Sequence, residues 1–234
     1  VVSLTSTTFG SGDSVVASWV TTNATPGGIT LGTAGAASPL IRGTGIQASS
    51  ASSYTVSWPS GTVAGDLAVI LVGHGFGVAT PSGWTSADNS TGSNWNGAVF
   101  SKVLTSGDIT AGAVTVNVAG SFDGVVAIVT FVGGTAGIRE ADVQRNGTGS
   151  SSITLNTSGA VLSTDTCIYF GSNRGASTDT VNRGTLQQQA NDSSSASGAL
   201  YTESITSGGA TTAIFGYSSA GSGNYQAIVV VKGI

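Results

Sequence analysis

The sequence predicts an all-β protein, a two-sheet, jelly-roll-like β-sandwich built from two sequence-similar halves, with little or no helix. The second half repeats strand and turn motifs of the first about one hundred residues later. Charged residues make up only 8% of the chain, whereas 36 glycines and many Ser, Thr and Val residues favour strands and tight turns. No stretch keeps apolar residues at helical spacing for three turns.

The repeat is clearest where a Gly/Thr-Asp turn leads into an apolar strand. Asp66 and Asp165 occupy equivalent turn positions, where a short carboxylate can accept backbone N–H bonds and fix the entry to the strand. Two copies of one strand set, each with an apolar face that it cannot bury alone, are expected to close around a shared core. The matching stretches are 53–61 with 152–159, 65–73 with 164–171, and 127–133 with 227–233.

Residues 1–49 have no counterpart in the repeat, whose halves we place at 50–134 and 150–234. Short β-like pieces occur at residues 15–20 and 29–31, between Gly- and Pro-rich turns. This N-terminal extension either adds edge strands to its own sandwich or forms an arm that pairs with a neighbouring subunit. We favour the first version, because short strands between turns are ordinary sheet material.

Ten strands are predicted, five in each half. The last strand of each half is apolar on both faces, so we expect it in the middle of a sheet. The predicted strands are 53–58, 66–73, 97–104, 113–118 and 124–132, then 152–156, 165–171, 198–204, 211–217 and 225–232.

The residue types that catalysis and metal binding need are scarce. His74 is the only histidine, Cys167 is the only cysteine, and no Gly-x-Ser-x-Gly elbow or calcium loop occurs. The net charge of −4 comes without a basic stripe, and the apolar runs are of strand length. We therefore expect no enzyme activity, no cofactor, no metal site, no nucleic-acid partner and no membrane span.

The segment 83–97 is interpreted as a loop and as the best candidate for recognition. It combines two tryptophans with Asp and Asn side chains, the mixture of flat apolar faces and hydrogen-bonding groups that glycan sites use. The competing interpretation, that both indoles fill the end of the sandwich, is favoured over sugar binding. The candidate glycan contacts are Trp84, Asp88, Asn89, Asn94 and Trp95.

Four motifs follow one another in the order Val63–Leu67, Pro81–Thr85, Ala98–Val103 and Ala127–Gly133. This succession resembles a widespread family of β-sandwich domains that occur in tailed-bacteriophage virion proteins and bacterial surface proteins. The resemblance covers about residues 50–234. It implies a non-enzymatic structural or adhesive protein on a virion or cell exterior, often part of an oligomer, and it supplies no catalytic residues.

We therefore expect a virion surface protein, a head decoration or tail-fibre-type component, that binds copies of itself and other virion or surface-assembly proteins. Its expected location is the virion surface or the extracellular space. One alternative is an extracellular filament or adhesin subunit joined by N-terminal strand addition. Another is a carbohydrate-binding module that recognises a cell-surface glycan.

Overall fold

The computed structural model describes residues 37–90, 95–133, 137–146, 149–159, 161–192, 195–219 and 221–233. In these ranges the chain forms thirteen β-strands and one short helix, α1 (Ser106–Ala111). The strands predicted at 15–20 and 29–31 lie outside the described residues. The strands are β1 (Ile41–Ser57), β2 (Leu67–His74), β3 (Thr85–Ser90), β4 (Asn96–Val103), β5 (Ala113–Phe131), β6 (Ile138–Asn146), β7 (Ser152–Asn156), β8 (Thr166–Arg174), β9 (Asp179–Val181), β10 (Thr185–Asn191), β11 (Ala196–Ser204), β12 (Thr212–Tyr217) and β13 (Asn224–Val231).

Two five-stranded antiparallel sheets form the centre of the fold. Sheet 1 has the order β1-β5-β2-β4-β3, and sheet 2 has the order β10-β11-β8-β13-β6. Starting from β6, the order of sheet 2 is β6-β13-β8-β11-β10. In this order, each strand takes the place of its counterpart in β1-β5-β2-β4-β3 of sheet 1. The apolar strands β5 and β13 lie inside their sheets, as predicted. The predicted all-β sandwich is confirmed, whereas the internal duplication stays a prediction.

The two sheets pack face to face around one apolar layer, which we call the shared core. Its side chains come from both sheets and are almost fully buried. Each large apolar side chain buried in this way stabilises the fold by about 1.5–3 kcal/mol. The shared core contains Leu67, Val69, Leu71, Trp95, Val99, Val125, Ala127, Val129 and Phe131 from the sheet 1 half, with Ile168, Phe170, Ala196, Leu200, Tyr225, Ala227, Val229 and Val231 from the sheet 2 half.

Glycines allow the two sheets to approach closely, and they do so reciprocally. A Cβ atom at Gly97 in β4 would overlap the ring of Tyr225 in β13. At the equivalent position in β11, a Cβ at Gly198 would lie 2.6 Å from the Cγ1 atom of Val125 in β5. Since real Cβ atoms do not approach other atoms so closely, neither glycine can be replaced without moving a neighbour.

Each central sheet also has an apolar outer face, which a further β layer covers. Over sheet 1, β1 and β5 bend, and their segments 53–57 and 113–117 pair as a ribbon above side chains such as Ile70 and Phe100. Over sheet 2, the three-stranded sheet 3, with order β7-β12-β9, packs on side chains such as Tyr169. The fold therefore has four β layers and three apolar cores.

Both central sheets run in the same direction along the molecule. The Oγ1 atom of Thr166, at the start of β8, donates to the carbonyl of Pro39 at 3.3 Å, just before the start of β1. Leu67 at the start of β2 pairs with Phe131, which also pairs with Ile41. We call the end where β2 and β8 begin the entry end, and the opposite end the far end.

Residues 41–49, the described C-terminal part of the predicted N-terminal extension, pair within their own chain. They form the first part of β1 and run antiparallel to residues 124–131 of β5. The division predicted between residues 49 and 50 falls inside this strand. The structural correspondence of the halves also begins earlier than residue 50, because β1 starts with Ile41-Arg42 and β6 starts with Ile138-Arg139.

The arginines at these two positions clamp the predicted turn aspartates. Asp165 accepts from the Leu162 N–H at 2.8 Å and from the Arg139 Nε and Nη2 atoms at 2.8 and 3.0 Å. Asp66 accepts from the Val63 N–H at 2.9 Å, and Arg42 Nε lies 2.6 Å from its Oδ2 atom. The predicted role of both aspartates in fixing strand entry is confirmed, whereas the arginines were not foreseen.

The sequence missed the strands that carry few apolar side chains. The segment 83–97, predicted as a loop, contains β3, and the polar segment 184–198 contains β10; both lie at the edge of a central sheet. An edge strand has a solvated side, so it shows no apolar run. Helix α1 was also missed; it is nucleated by a capping box in which Thr105 and Asp108 bond each other's backbone N–H.

We predict that Gly97→Ala destabilises the protein by about 1–3 kcal/mol, because the added methyl group overpacks the contact with Tyr225. The matched control is Gly107→Ala in α1, where the nearest atom to an added Cβ is 3.6 Å away. This control should leave stability unchanged or raise it by up to about 1 kcal/mol. Urea unfolding measures both, and equal effects would contradict the close approach of the two sheets.

We predict that Arg139→Gln costs about 3 kcal/mol, because it leaves the fully buried Asp165 carboxylate without its partner. Burial alone would raise the pKa of Asp165, but Arg139 and backbone N–H groups lower it overall. The stabilisation is therefore present above the pKa of the unfolded state and lost as the pH falls through the folded-state pKa. The control Arg183→Gln breaks a more exposed pair and should cost about 1 kcal/mol or less by the same unfolding measurement.

Candidate functional site

The structure does not bring the two tryptophans of the candidate glycan site together. Trp84 is 8% exposed, belongs to the core between sheet 1 and its ribbon, and stacks on Trp58 with ring centroids 6.4 Å apart. Trp95 is 1% exposed and belongs to the shared core, where its Nε1 atom donates to Ser172 Oγ at 3.1 Å. The two indoles therefore lie in cores on opposite faces of sheet 1, and neither offers an open face on which a sugar could stack.

The polar residues of the candidate glycan site form hydrogen bonds with different parts of the fold. Asp88 is half-buried, and its Oδ2 atom accepts from the hydroxyl of Tyr225 at 3.2 Å, which ties β3 to β13. Asn89 is exposed, and its Nδ2 atom donates to Thr80 Oγ1 at 3.3 Å. Asn94 lies outside the described residues. The arrangement favours the packing interpretation of the tryptophans over a shared glycan platform.

The only histidine is used inside the fold. His74 is fully buried, its Nδ1 atom accepts from the Phe76 N–H at 2.9 Å, and its Nε2 atom lies 3.0 Å from the carbonyl oxygen of Phe122. Burial lowers the pKa of His74, so the ring is neutral with its proton on Nε2. A base whose two nitrogens are both engaged by backbone cannot activate a nucleophile without local rearrangement.

A buried polar group in the second half is the site that sequence reasoning missed. Tyr217 pairs with Asp179 across β12 and β9, and Gln226 donates from Nε2 to the Tyr217 hydroxyl at 2.6 Å. All three residues are at most 5% exposed. We call them the polar triad.

Valines occupy the corresponding positions in the first half. Val78 forms a β-bridge with Val118, and this pair corresponds to Asp179 and Tyr217. Val126, on the last strand of the first half, corresponds to Gln226 on the last strand of the second. All three valines belong to the core between sheet 1 and its ribbon. Burying polar groups where the fold accepts valine costs stability, and such departures are typical of functional positions.

Asp179 is the most perturbed member of the polar triad. Its Oδ1 atom accepts from the hydroxyls of Ser177 at 2.5 Å and Ser197 at 3.2 Å, whereas its buried Oδ2 atom has no hydrogen-bond partner among the described residues. Burial raises the pKa of Asp179 to about 7, against the effect of the two hydroxyls. The group can therefore gain or lose a proton near neutral pH. Within the described part of the chain, the Oε1 atom of Gln226 is likewise buried without a hydrogen-bond partner.

Exposed apolar side chains gather at the entry end. Leu40 precedes β1 and is 67% exposed, while Val103 ends β4 and is 47% exposed. Val63 and Leu162 occupy equivalent positions in the turns before β2 and β8 and are 47% and 46% exposed. We call these four residues the entry-end patch. Contiguous exposed apolar surface marks interaction sites in soluble proteins, so the residues at this end are candidates for one.

The far end carries a different surface. Phe76 is exposed and packs edge-on against Phe122, with ring centroids 5.2 Å apart. The guanidinium of Arg174 lies 4.3 Å from the centre of the Phe122 ring, within the range of a cation–π interaction. Arg174 also lies 3.9 Å from Asp123, which pairs with Ser50.

Nothing in the described ranges groups three or more His, Cys, Asp or Glu side chains so that they could hold a metal ion. No helix in that part of the chain is long and apolar enough to cross a membrane. No protein-family profile, curated protein or solved structure matches the chain.

We predict that Asp179→Asn removes a loss of stability that the wild-type protein shows as the pH rises. The folded-state pKa of about 7 exceeds the usual unfolded value of about 3.9, so the folded state binds more protons between these values. Stability then falls by roughly 1.4 kcal/mol per pH unit across that window. Thermal unfolding at a series of pH values between 4 and 8 measures the difference.

Asp108→Asn provides a control, because the contribution of Asp108 to stability depends on pH in the opposite direction to that of Asp179. Burial acts to raise the pKa of Asp108, but Lys102 and Thr105 lower it overall, so its contribution is present at neutral pH and lost on acidification. If wild type and Asp179→Asn lost stability in parallel between pH 4 and pH 8, the assignment of Asp179 as a buried acid with a raised pKa would be wrong.

Proposed function

We propose that this protein is a non-enzymatic structural component of a virion surface, of the head decoration or tail-fibre type, that acts through contacts between subunits. The observation that carries the proposal is the entry-end patch, which sets Leu40, Val63, Val103 and Leu162 at one end of a layered sandwich. A patch of aliphatic side chains fits another protein surface, because its burial is favourable and needs no matching charge.

The use of reactive side chains inside the fold supports a structural role. His74 and Cys167 are fully buried, and burial raises the pKa of the Cys167 thiol to about 12, which keeps it protonated and unreactive. Several of the few charged residues are paired with one another, among them Arg42, Arg139 and Arg183. Asp179 accepts from the hydroxyls of Ser177 and Ser197, but both serines are buried, which supports a structural or pH-dependent role for the polar triad over catalysis.

The virion assignment is supported by the resemblance of the motif succession Val63–Gly133 to β-sandwich domains of tailed-bacteriophage and bacterial surface proteins. The four-layer architecture with three apolar cores suits a protein that must stay folded while exposed on a particle. A cellular filament would use the same chemistry, so the two roles differ in the symmetry of assembly.

We predict that the purified chain forms a defined oligomer and that Val63→Ser combined with Leu162→Ser raises the concentration needed for association at least tenfold. Both substitutions remove exposed methyl groups from the entry-end patch and leave the buried cores unchanged. Light scattering over a concentration series gives the mass, and negative-stain microscopy shows the form of the assembly.

The matched control is Leu186→Ser, which removes an equally exposed aliphatic side chain from β10. It should leave the association unchanged. A chain that stays monomeric at all concentrations, or that responds equally to Leu186→Ser, would contradict assembly through the entry end. Growth into long regular filaments would favour the extracellular filament alternative over a decoration role.

A further inference from the structure

Sheet 3 is joined to the rest of the fold differently from the ribbon over sheet 1. In the first half, β1 and β5 are each continuous, so both strands belong to sheet 1 and to its ribbon. In the second half, β7 is a separate strand from β6, and β12 is separate from β13. Sheet 3 therefore depends more on contacts with sheet 2 to stay in place than the ribbon does on its own sheet.

One edge of sheet 3 is attached through Asp179 of β9. Its Oδ1 atom accepts from Ser197 Oγ of β11 at 3.2 Å, and its backbone carbonyl accepts from Gln189 Nε2 of β10 at 2.7 Å. The buried Oδ2 atom has no hydrogen-bond partner in the described ranges. A proton on this carboxyl group removes the cost of a buried charge, so the attachment is most stable when Asp179 is protonated.

The other edge is attached through a second acid, Glu140 of β6. Its carboxyl group lies against Gly159, just beyond β7, and accepts a hydrogen bond from the Gly159 backbone. Asp142 lies two positions further along β6, on the same face of the strand. Burial, the Asp142 charge and a hydrogen bond with Asp142 raise the pKa of Glu140, so this attachment also favours a proton. Gly43 and Gly45 of β1 occupy the corresponding positions in the first half.

The first half makes apolar contacts where the second half uses these acids. Gly43 lies against Pro59. Val78 takes the position of Asp179 and is buried in the core beneath the ribbon. The two carboxyl attachments therefore distinguish sheet 3 from the ribbon.

The groups that oppose burial at the two acids do not keep them ionised. Arg139 acts to lower the pKa of Glu140, but its guanidinium is bound to Asp165, and the pKa of Glu140 stays raised. At Asp179, two serine hydroxyls act to lower the pKa, and burial again has the larger effect.

Other charged side chains on the elements packed against sheet 3 are engaged elsewhere. Glu203 of β11 binds Arg183 and the Tyr169 hydroxyl. Arg174, at the end of β8, lies over the Phe122 ring. The core beneath sheet 3 itself carries the thiol and phenol groups of Cys167, Tyr169, Tyr201 and Tyr217.

We propose that sheet 3 is a pH-sensitive layer: protonated carboxyl groups hold both of its edges on sheet 2, and the layer separates more often as they lose their protons. Separation is a local opening that uncovers the apolar outer face of sheet 2 while the shared core stays packed. The inference goes beyond the proposed function, because it depends on neither the entry-end patch nor a second subunit.

The direction of the effect follows from the proton balance. Both acids have a higher pKa in the closed layer than in water, so opening releases protons and becomes more favourable as the pH rises. Each proton released raises the opening equilibrium about tenfold per pH unit between the two pKa values. With a closed-state pKa of about 7 for Asp179, the opening equilibrium should rise at least about thirtyfold from pH 5 to pH 7.

Cys167 is a native probe of this opening. It is fully buried in the core beneath sheet 3 and is the only cysteine of the chain. The rate at which a dipyridyl disulfide labels the folded full-length chain, divided by the rate for the urea-unfolded chain at the same pH, gives the opening equilibrium. This division removes the pH dependence of the thiol itself. We expect the corrected rate to show the thirtyfold rise in the wild type, and to change less than about threefold in Glu140→Gln combined with Asp179→Asn.

The matched control moves the thiol to the first half. Ala68 corresponds to Cys167 and is equally buried, beneath the ribbon. In Ala68→Cys combined with Cys167→Ala, the introduced thiol should react at least about tenfold more slowly than Cys167 does at pH 7, because the ribbon continues the strands of sheet 1.

Three results would overturn the proposal. Equal corrected rates for the two thiols would show that both react only through global unfolding. A corrected Cys167 rate that does not change with pH would exclude the carboxyl attachments as the cause of opening. A rise that persists in Asp179→Asn alone and in the double variant, each shown to be folded by urea unfolding, would assign the pH dependence to other groups.

Discussion

The close approach of the two central sheets is the constraint on which the rest of the fold depends. Gly97 and Gly198 allow the approach at reciprocal positions, and a Cβ at Gly73 would overlap the side chain of Ser172, the residue that also binds the indole of Trp95. With one cysteine there is no intrachain disulfide, and with 8% charged residues there are few ion pairs, so stability depends on packing. Because both faces of each central sheet are apolar, a second layer on the outside is obligatory.

The two halves share a strand order but carry different side chains at matched positions. The first half has valines where the second has the polar triad, and glycines where the second has Glu140 and Asp142. The first half is therefore the more apolar of the two. The second half accepts buried polar groups that cost stability. The same strand arrangement can therefore hold different side chains, and so different chemistry, in each half.

The sequence predicted those elements whose physical cause is local. The aspartates at Asp66 and Asp165 were recognisable, because a short carboxylate before an apolar run fixes a turn. The strands that close each half were recognisable from apolar residues on both faces. β3 and β10 could not be recognised, because an edge strand with polar side chains resembles a loop when its partners are unknown.

The candidate site depended on information that only the pairing of strands supplies. Trp84 and Trp95 are eleven positions apart in the sequence, but they enter cores on opposite sides of sheet 1; Trp84 immediately precedes β3 and Trp95 immediately precedes β4. The polar triad joins residues 179, 217 and 226, and the β9 strand that carries Asp179 is three residues long. Its only signal in the sequence was the replacement of valine by a polar residue at repeat-matched positions, which becomes visible once the registers are known.

The direction in which the chain runs gives the sandwich a polarity. β1 begins at the entry end, and β13 finishes there too, with Val231 beside Thr166. The described chain therefore enters and leaves the sandwich on the side that carries the exposed aliphatic residues. A contact made through this side would leave the far end of the described sandwich facing away, where Phe76 packs on Phe122 and the Arg174 cation lies over the Phe122 ring.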